Sequence, residues 1–157
     1  MRIGIGYDIH RYQEGRPLIL GGVPFPGERG LGGHSDADVL LHAVIDALLG
    51  AAGLGDIGQH FPPDDPAYAD ADSRQLLAKA AQLADGAGFR VESVDATVIA
   101  ERPHLAPHRG QMRGHIAQAL AAETAKVNVK ATTSEGIGAL GRGEGIAAIA
   151  VVLLSER

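Results

Sequence analysis

The sequence predicts an α+β domain, with helices packed on one face of a largely four-stranded mixed sheet. Strand and helix patterns follow one another in the order β, hairpin, α, α, β, α, β, β, without an internal repeat. The length of 157 residues suits one domain, 1–157, with a substantial core. Because the central strands are too apolar for the second sheet face to meet water, we expect that face to pack against copies of itself in a symmetric oligomer.

The first strand predicts half of a metal site. Large apolar residues alternate there with small or polar ones, which are Gly4, Gly6, Asp8 and His10. Asp8 and His10 therefore point to the same side, roughly 6.6 Å apart along the strand, and both can reach one ion. Carboxylate and imidazole groups are common zinc ligands, but this pair needs a third ligand. His42, in the next predicted helix, is the obvious candidate.

Residues 34–50 predict an amphipathic helix with an unusual polar edge. Its polar residues recur every four positions, at His34, Asp38, His42 and Asp46. Ser35 resembles the start of a capping box, and Gly50 or Gly53 is the expected stop. Capping and the helix dipole explain polar and acidic residues at a helix start. They do not explain why His34 and His42 also lie on this edge.

Periodicity and turn signals predict the remaining elements. These are a hairpin and loop in 11–33, a loop rich in Gly, Pro and Asp in 53–66, a helix from Ser73 to about Asp85 capped by Asp72, a strand in 90–100, a helix ending near Ala122, strands in 127–133 and 146–154, and a Gly-rich turn in 134–145. The last strand is unbroken in its apolar character, so we expect it to be buried on both sides. The loop in 53–66 is longer than a connector needs; it is either functional or a surface loop with Asp at turn positions.

Composition narrows the chemistry. The formal net charge is −5 and there is no long basic run, so we expect no nucleic-acid partner. The chain has no cysteine, which leaves His and carboxylate side chains as the strong metal ligands. We expect a cytoplasmic protein without membrane contact, because the sequence shows no leader or transmembrane pattern.

Two polar segments near the C-terminus allow more than one reading. In 132–136, hydroxyls and backbone N–H groups can hold phosphate oxygens and Glu135 can hold Mg²⁺, but an ordinary strand terminus explains the same residues. In 141–145, Arg142 and Glu144 can simply form a surface ion pair.

Taken together, these segments resemble the 2-C-methyl-D-erythritol 2,4-cyclodiphosphate synthase family of the non-mevalonate isoprenoid pathway. The resemblance runs from Met1 to Leu154, in order and with matching spacings, through the segments 6–10, 34–38, 41–43, 55–58, 71–73, 128–133 and 141–147. It implies a homotrimer with active sites at subunit interfaces. It also implies zinc bound by Asp8, His10 and His42, and Mg²⁺ or Mn²⁺ bound by Glu135.

The implied activity is that of a metal-dependent phosphorus-oxygen lyase. The substrate is linked to cytidine diphosphate: in 4-diphosphocytidyl-2-C-methyl-D-erythritol 2-phosphate, the 2-phosphate attacks the β-phosphate, CMP leaves and a cyclic diphosphate forms. The implied catalytic residues are His34, Thr133 and Glu135. The implied substrate-binding residues are Asp8, His10, His34, Ser35, Asp56, Ile57, Gly58, Phe61, Ala100, Leu105, Ala106, Thr132, Thr133, Ser134, Glu135 and Arg142.

Within that set, the resemblance divides the substrate among the residues. His34 and Ser35 would hold its phosphate end, and Asp56 and Gly58 its erythritol hydroxyls. Backbone groups of Ala100, Leu105 and Ala106 would hold its cytosine, with Thr132 and Thr133 on the nucleotide phosphates. We further infer that Asp38 and Asp46 orient the histidines. Two positions depart from the family pattern: His104 stands where many members have Lys, and Pro63 where some have Asp.

Two other functions are compatible with parts of this pattern. Three N/O ligands alone would suit a zinc hydrolase in which metal-bound water attacks. The resemblance also implies an apolar cavity along the trimer axis, with Arg142 at its mouth, that accepts an isoprenoid diphosphate. The chain would then be a regulatory trimer with structural zinc.

Overall fold

The computed structural model describes residues 1–157 and confirms the predicted α+β architecture. The four-stranded sheet has the order β1-β6-β4-β5. Its strands are β1 (Arg2–Arg11), β4 (Phe89–Ile99), β5 (Val127–Thr132) and β6 (Gly145–Glu156). The β4 and β5 strands pair in parallel and the other neighbours antiparallel, so the sheet is mixed. A separate hairpin consists of β2 (Ile19–Leu20) and β3 (Val23–Pro24), within the predicted segment 11–33.

Three longer helices and two single-turn helices accompany the sheet. They are α1 (Val39–Ala52), α2 (Ile57–His60), α3 (Ser73–Gly86), α4 (Arg109–Ala119) and α5 (Gly138–Gly141). Short 3-10 turns cover Pro66–Tyr68, Ala106–His108 and Thr124–Lys126. Thus the predicted loops in 53–66 and 134–145 contain one helical turn each. None of the helices is both long and apolar enough to span a bilayer.

Helix α1 begins later than predicted. Asp38 is its N-cap and accepts a hydrogen bond from the Leu41 N–H at 3.1 Å, whereas Ala37 has a positive φ of 57° that a helix cannot continue through. His34 and Ser35 therefore lie in the preceding loop, and the predicted polar edge and capping box starting there are wrong. The helix ends at Gly53, with a positive φ of 73°, rather than at Gly50.

Helix α3 has the predicted start and cap, because the Asp72 carboxylate accepts from the Arg74 N–H. Helix α4 ends at Ala119, shortly before the predicted Ala122, since the chain turns at Ala121 with a positive φ of 50°. The core lies between these helices and the inner sheet face. Its sheet residues include Val94, Ala96, Val98, Ala148, Ala150 and Val152, all buried.

The other sheet face is open in the single chain. Its exposed apolar residues are Ile3, Ile5, Tyr7, Ile9 and Ile149, from 38 % to 72 % exposed. The prediction that the last strand is buried on both sides is therefore wrong for one chain: its inner residues are buried, but the outer face of β6 has no cover. This outer face is apolar on β1 and β6 and polar on β4 and β5. One row of paired residues across it shows the change: Ile5, Val151, Asp95 and Asn128.

Candidate active site

Asp8, His10 and His42 form one compact cluster between β1 and α1. The Asp8 Oδ2 atom lies 2.8 Å from His10 Nε2 and 3.2 Å from His42 Nδ1, and these two nitrogens are 3.3 Å apart. Ligand atoms on a tetrahedral zinc, with bonds of about 2.0–2.1 Å, are separated by roughly 3.3 Å. The structure thus brings together the three predicted metal ligands at nearly the spacing that one ion requires.

The ring of His10 is oriented for a ligand role. Its Nδ1 atom lies 2.6 Å from the Gly32 carbonyl oxygen, which can only accept, so Nδ1–H donates and, in the neutral ring, Nε2 carries the lone pair. The cluster then contains carboxylate oxygens and a ring nitrogen lone pair directed at one point. A proton on His10 Nε2 can balance the Asp8 carboxylate, and a metal ion can take the place of that proton; the N/O donor set suits zinc.

Contacts within the cluster shift the pKa values of Asp8 and His10. Burial raises the pKa of Asp8, but the neighbouring imidazoles of His10 and His42 together outweigh burial and hold that pKa below its usual value. Burial lowers the pKa of His10, but its hydrogen bond and charge interaction with Asp8 prevail and raise that pKa. Both shifts favour the charged forms, as expected where a carboxylate meets an imidazole.

The loop before α1 carries His34 and Ser35 alongside this cluster. The His34 Nε2–H donates to the Asp65 carbonyl at 2.6 Å, and Ser35 Oγ lies 3.1 Å from His42 Nε2. Arg16 holds the loop, because its guanidinium donates to the carbonyls of Gly33 and Ser35 at 2.8 and 2.5 Å. Sequence reasoning missed Arg16, since only the folded chain brings it to these carbonyls.

A second site lies across the sheet, in a cleft of about 790 Å³ at the ends of β4 and β5. All five residues predicted for cytosine and the nucleotide phosphates line it: Ala100, Leu105, Ala106, Thr132 and Thr133. His104 lines it too, at the position that departs from the family pattern. Asp8 is three strands away from the cleft wall, through Ala148, Val98 and Ala131, which is about 14 Å at the usual strand spacing.

The turn after β5 is anchored to this cleft by Glu101. One oxygen of Glu101, Oε1, accepts from the N–H groups of Ser134 and Gly136 at 3.0 and 3.3 Å. The Glu135 N–H donates to Thr133 Oγ1 at 3.1 Å, and Glu135 is exposed with a positive φ of 54°. Glu101 also went unnoticed in the sequence, although it lines the cleft beside Thr133 and anchors the turn; Ser134 and Glu135 follow Thr133 but are not among the lining residues.

The predicted erythritol-binding residues occupy the turn around α2. Asp56 caps α2 by accepting from the Gln59 N–H at 3.0 Å, and Ile57 and Gly58 follow it directly. Phe61 is buried and packs edge to face on Tyr68 at 5.4 Å between ring centroids. Elsewhere, exposed Arg142 pairs with Glu144 at 2.8 Å, as the surface reading of 141–145 predicts.

Comparisons with known proteins agree with this geometry. The YgbB family model matches residues 1–155. This chain belongs to the YgbB family. It is 61 % identical over 157 residues to the 2-C-methyl-D-erythritol 2,4-cyclodiphosphate synthase of Geotalea uraniireducens, covering all of both chains. It is equally similar to the synthase of Geobacillus kaustophilus, at 61 % over 155 residues, covering 99 % of this chain and 98 % of that protein.

Solved structures of YgbB-like folds show the same likeness. The Plasmodium falciparum IspF structure, a CDP complex, superposes with a TM-score of 0.86 at 33 % identity, covering 99 % of this chain and 96 % of that one. The bifunctional IspDF of Campylobacter jejuni gives a TM-score of 0.95 at 42 % identity, and the match covers 99 % of this chain and 42 % of IspDF. The predicted family resemblance is therefore confirmed.

One inference about this YgbB-family chain is wrong. Asp38 does not orient a histidine: its buried carboxylate accepts from the N–H groups of Gly21 and Gly22 at 2.9 and 2.7 Å, as well as capping α1. Asp46 accepts from the Ile57 N–H at 3.1 Å. Both acidic residues hold backbone segments around the site.

Asp36 and Ser73 are the side chains that lie behind His42. Ser73 Oγ is 2.9 Å from His42 Nε2 and 2.5 Å from Asp36 Oδ1. The helical spacing of His34, Asp38 and Asp46 favoured the wrong carboxylates. Asp36 reaches Ser73 only because the loop before α1 meets the start of α3 in space.

Proposed function

We propose that this chain converts 4-diphosphocytidyl-2-C-methyl-D-erythritol 2-phosphate to 2-C-methyl-D-erythritol 2,4-cyclodiphosphate and CMP. The observation that carries the proposal is the convergence of Asp8, His10 and His42 on one point in a chain that aligns over its whole length with synthases of that name. The cleft of about 790 Å³ beside Thr132 and Thr133, which has room for a nucleotide, supports the same substrate. In this reaction class, the enzyme is a phosphorus-oxygen lyase of isoprenoid precursor biosynthesis.

The reaction forms one bond and breaks one. An oxygen of the 2-phosphate bonds to the β-phosphorus, the bond from that phosphorus to the bridging oxygen breaks, and CMP takes the electron pair. The nucleophile is already an anion, so no strong protein base is required. The barrier comes from bringing one anion onto another, and positioning with charge neutralisation lowers it.

The residues divide this task. Asp8, His10 and His42 would hold zinc, and Glu135 would hold Mg²⁺ or Mn²⁺; such ions neutralise phosphate charge as Lewis acids. His34 and Ser35, fixed by Asp65 and Arg16, are placed to position the attacking phosphate beside the cluster. Thr132 and Thr133 would supply hydroxyl donors for the nucleotide phosphates, in the turn that the contact between the Ser134 N–H and Glu101 holds. Asp56, Ile57, Gly58 and Phe61 form the turn proposed to bind erythritol.

We propose a homotrimer in which neighbouring copies complete each site. Two features support it. The open apolar face of β1 and β6 lacks cover in the single chain, and the metal cluster and cytidine cleft lie on opposite edges of one sheet. Arg142 would face any isoprenoid diphosphate bound in the central cavity, but it is already paired with Glu144. The cavity ligand therefore stands as a secondary role for the same trimer.

Phosphorus NMR tests the activity. We expect CMP and a cyclic diphosphate from the substrate with Mg²⁺, loss of both products after zinc is removed with a chelator, and recovery on adding zinc. Intact substrate in the fully metallated protein would overturn the proposal. A zinc hydrolase would instead place label from ¹⁸O-water in a phosphate product, whereas the cyclisation incorporates none.

A further inference from the structure

The side of His42 that faces away from the metal cluster is held by two residues from different parts of the chain. Ser73, the first residue of α3, places its Oγ atom 2.9 Å from His42 Nε2. Asp36, in the loop before α1, places Oδ1 2.5 Å from that same Oγ. A continuous hydrogen-bonded chain therefore runs from Asp36 through Ser73 to His42.

The direction of each hydrogen bond follows from the donor inventory. A carboxylate only accepts, so the single hydroxyl hydrogen of Ser73 is donated to Asp36. Ser73 Oγ can then only accept from the ring of His42, which requires the hydrogen to be on Nε2. The Nδ1 atom is left with its lone pair, and this is the atom 3.2 Å from Asp8 Oδ2.

Asp36 cannot easily reverse this direction, because its backbone contacts hold it in place. Its Oδ2 accepts from the Ser73 N–H at 3.0 Å, and its Oδ1 also accepts from the Asp38 N–H at 3.1 Å. Ser73 is completely buried, with no exposed surface. No substrate can reach its hydroxyl, so the Asp36, Ser73 and His42 group is not a nucleophilic triad despite its composition.

Ser35 differs from Ser73 although it is a similar distance from the ring. Its Oγ lies 3.1 Å from His42 Nε2 and accepts from the Ala37 N–H at 3.3 Å. No carboxylate takes its hydroxyl hydrogen, so Ser35 does not impose a tautomer on His42.

We propose that Asp36 and Ser73 are positioning residues, which together set the tautomer and ring orientation that make His42 Nδ1 a metal ligand. The proposal rests on the metal site of the proposed function, since it concerns one ligand of that site. Partners behind a ligating histidine typically contribute 10- to 100-fold to metal affinity. The role belongs to the pair, because Ser73 without Asp36 could donate to the ring as readily as accept from it.

The test is the zinc dissociation constant, measured by chelator competition on the full chain. We expect Ser73→Ala and Asp36→Ala, each of which removes one of the two hydrogen-bonding groups, to raise it 10- to 100-fold. We expect the double variant to be no weaker than the weaker single variant, because both changes remove the same constraint. Nitrogen-15 NMR of the zinc-free protein adds a direct readout: His42 should carry its hydrogen on Nε2 in the parent chain and lose that preference in Asp36→Ala, in which no acceptor remains for the Ser73 hydroxyl hydrogen.

Asp72→Ala is the matched control. Asp72 caps α3 beside Ser73 but makes no contact with His42, so this variant should lower the melting temperature and leave zinc affinity unchanged. Zinc affinity within twofold of the parent in either folded single variant would overturn the proposal, as would losses that add in the double variant. If Ser73→Ala does not fold, Asp36→Ala alone decides. Absence of zinc binding by the parent chain would instead remove the metal site, and the proposed function with it.

Discussion

The two faces of strand β1 carry different residues and meet different surroundings. On the inner face, a Cβ atom on Gly4 or Gly6 would lie 2.1 or 2.0 Å from a backbone oxygen of α1, so only glycine allows the helix to approach this closely. On the outer face, Ile3 and Ile5 are about 70 % exposed in the single chain, at 72 % and 69 %. The inner face thus carries Asp8 and His10 of the cluster with His42, and the outer face presents an apolar surface that has no cover in the single chain.

This difference shows how one strand can serve two purposes. Side chains alternate along a strand, so neighbouring residues can be constrained independently. Close packing of α1 on Gly4 and Gly6 brings His42 to Asp8 and His10. The large apolar residues that alternate with these inner-face residues are exposed, so they contribute little to the stability of the single chain. The four predictions below test this division, from the largest expected change in the free energy of unfolding to the smallest.

Gly6→Ala should disrupt the inner face. The added Cβ would lie 2.0 Å from the Ala43 carbonyl oxygen, so α1 must move away and carry His42 with it. We expect a loss of about 3 kcal/mol of unfolding free energy, the upper end for overpacking, and loss of zinc binding. Denaturant melts and zinc titration measure both. Gly50→Ala, on the same helix with open space around it, should instead stabilise by about 0.5–1 kcal/mol. Unchanged zinc affinity in Gly6→Ala would show that the close approach is not needed.

Asp38, which is buried on the helix side of the sheet, should make the unfolding free energy of the chain depend on pH. Burial, with the charge of Asp36, raises its pKa to about 6, even though three backbone N–H groups donate to it. The pKa of an aspartate in the unfolded chain is about 3.9, so folding favours the protonated form of Asp38. The stabilisation that this provides is fully present below about pH 4 and is lost as pH rises through 6. The pKa difference corresponds to about 3 kcal/mol.

Thermal melts of the parent chain and Asp38→Asn, at one protein concentration, measure this contribution. The unfolding free energy of the parent minus that of Asp38→Asn should fall as pH rises from 4 to 6.5. Only the parent loses the contribution of the protonated carboxyl over this range. A difference that is constant over this range would contradict the raised pKa.

Ile5→Ser should affect the outer face alone. Ile5 is next to Gly6 in sequence but 69 % exposed, so we expect the chain to fold with its helical content retained and to lose association. Light scattering after size-exclusion chromatography would show the smaller species, with activity reduced accordingly. Asn128→Ser, on the polar side of the same face, is the control and should assemble normally. A monomeric parent chain, or an assembled Ile5→Ser variant, would refute this role of the apolar face.

Asp56→Ser should change activity with little change in stability. Serine caps a helix about as well as aspartate, so α2 should keep its N-cap and the unfolding free energy should change by less than about 0.5 kcal/mol. Loss of a hydrogen bond to the substrate should lower kcat/KM about tenfold. Asp72→Ser, the same exchange at the cap of α3, should leave kcat/KM unaltered. A large fall in melting temperature for Asp56→Ser would mean that the carboxylate is structural.

Much of the architecture was predictable because its signals are local. Alternation defined β1 and β4, the Asp72 cap defined the start of α3, and Asp8 with His10 followed from two-residue spacing along a strand. The start of α1 was not predictable in this way. The four-residue spacing of polar groups extends backwards to His34, but the positive φ at Ala37 ends the helix first.

The residues around the site also fall into two groups, those that the sequence predicted and those that it did not. The family resemblance assigned Ala100, Leu105 and Thr132 to the nucleotide, and the folded chain gathers these three residues around one cleft, whose ligand stays a prediction. Glu101 and Arg16 were missed because each acts on backbone groups remote in sequence. Asp38 was assigned to a histidine because it lies four residues away, but its carboxylate turns toward the hairpin between β2 and β3.

The sequence by itself determined the α+β class, the family and the three metal-ligand candidates, because these depend on periodicity, residue type and short spacings. Tertiary structure alone decided which partners stand behind the ligands. Asp36 and Ser73 are 37 residues apart, and nothing local indicates that one carboxylate oxygen will meet that hydroxyl. Hydrogen bonds are short-ranged and directional, so they form only after packing of the helices on the sheet has placed the groups within about 3 Å of each other.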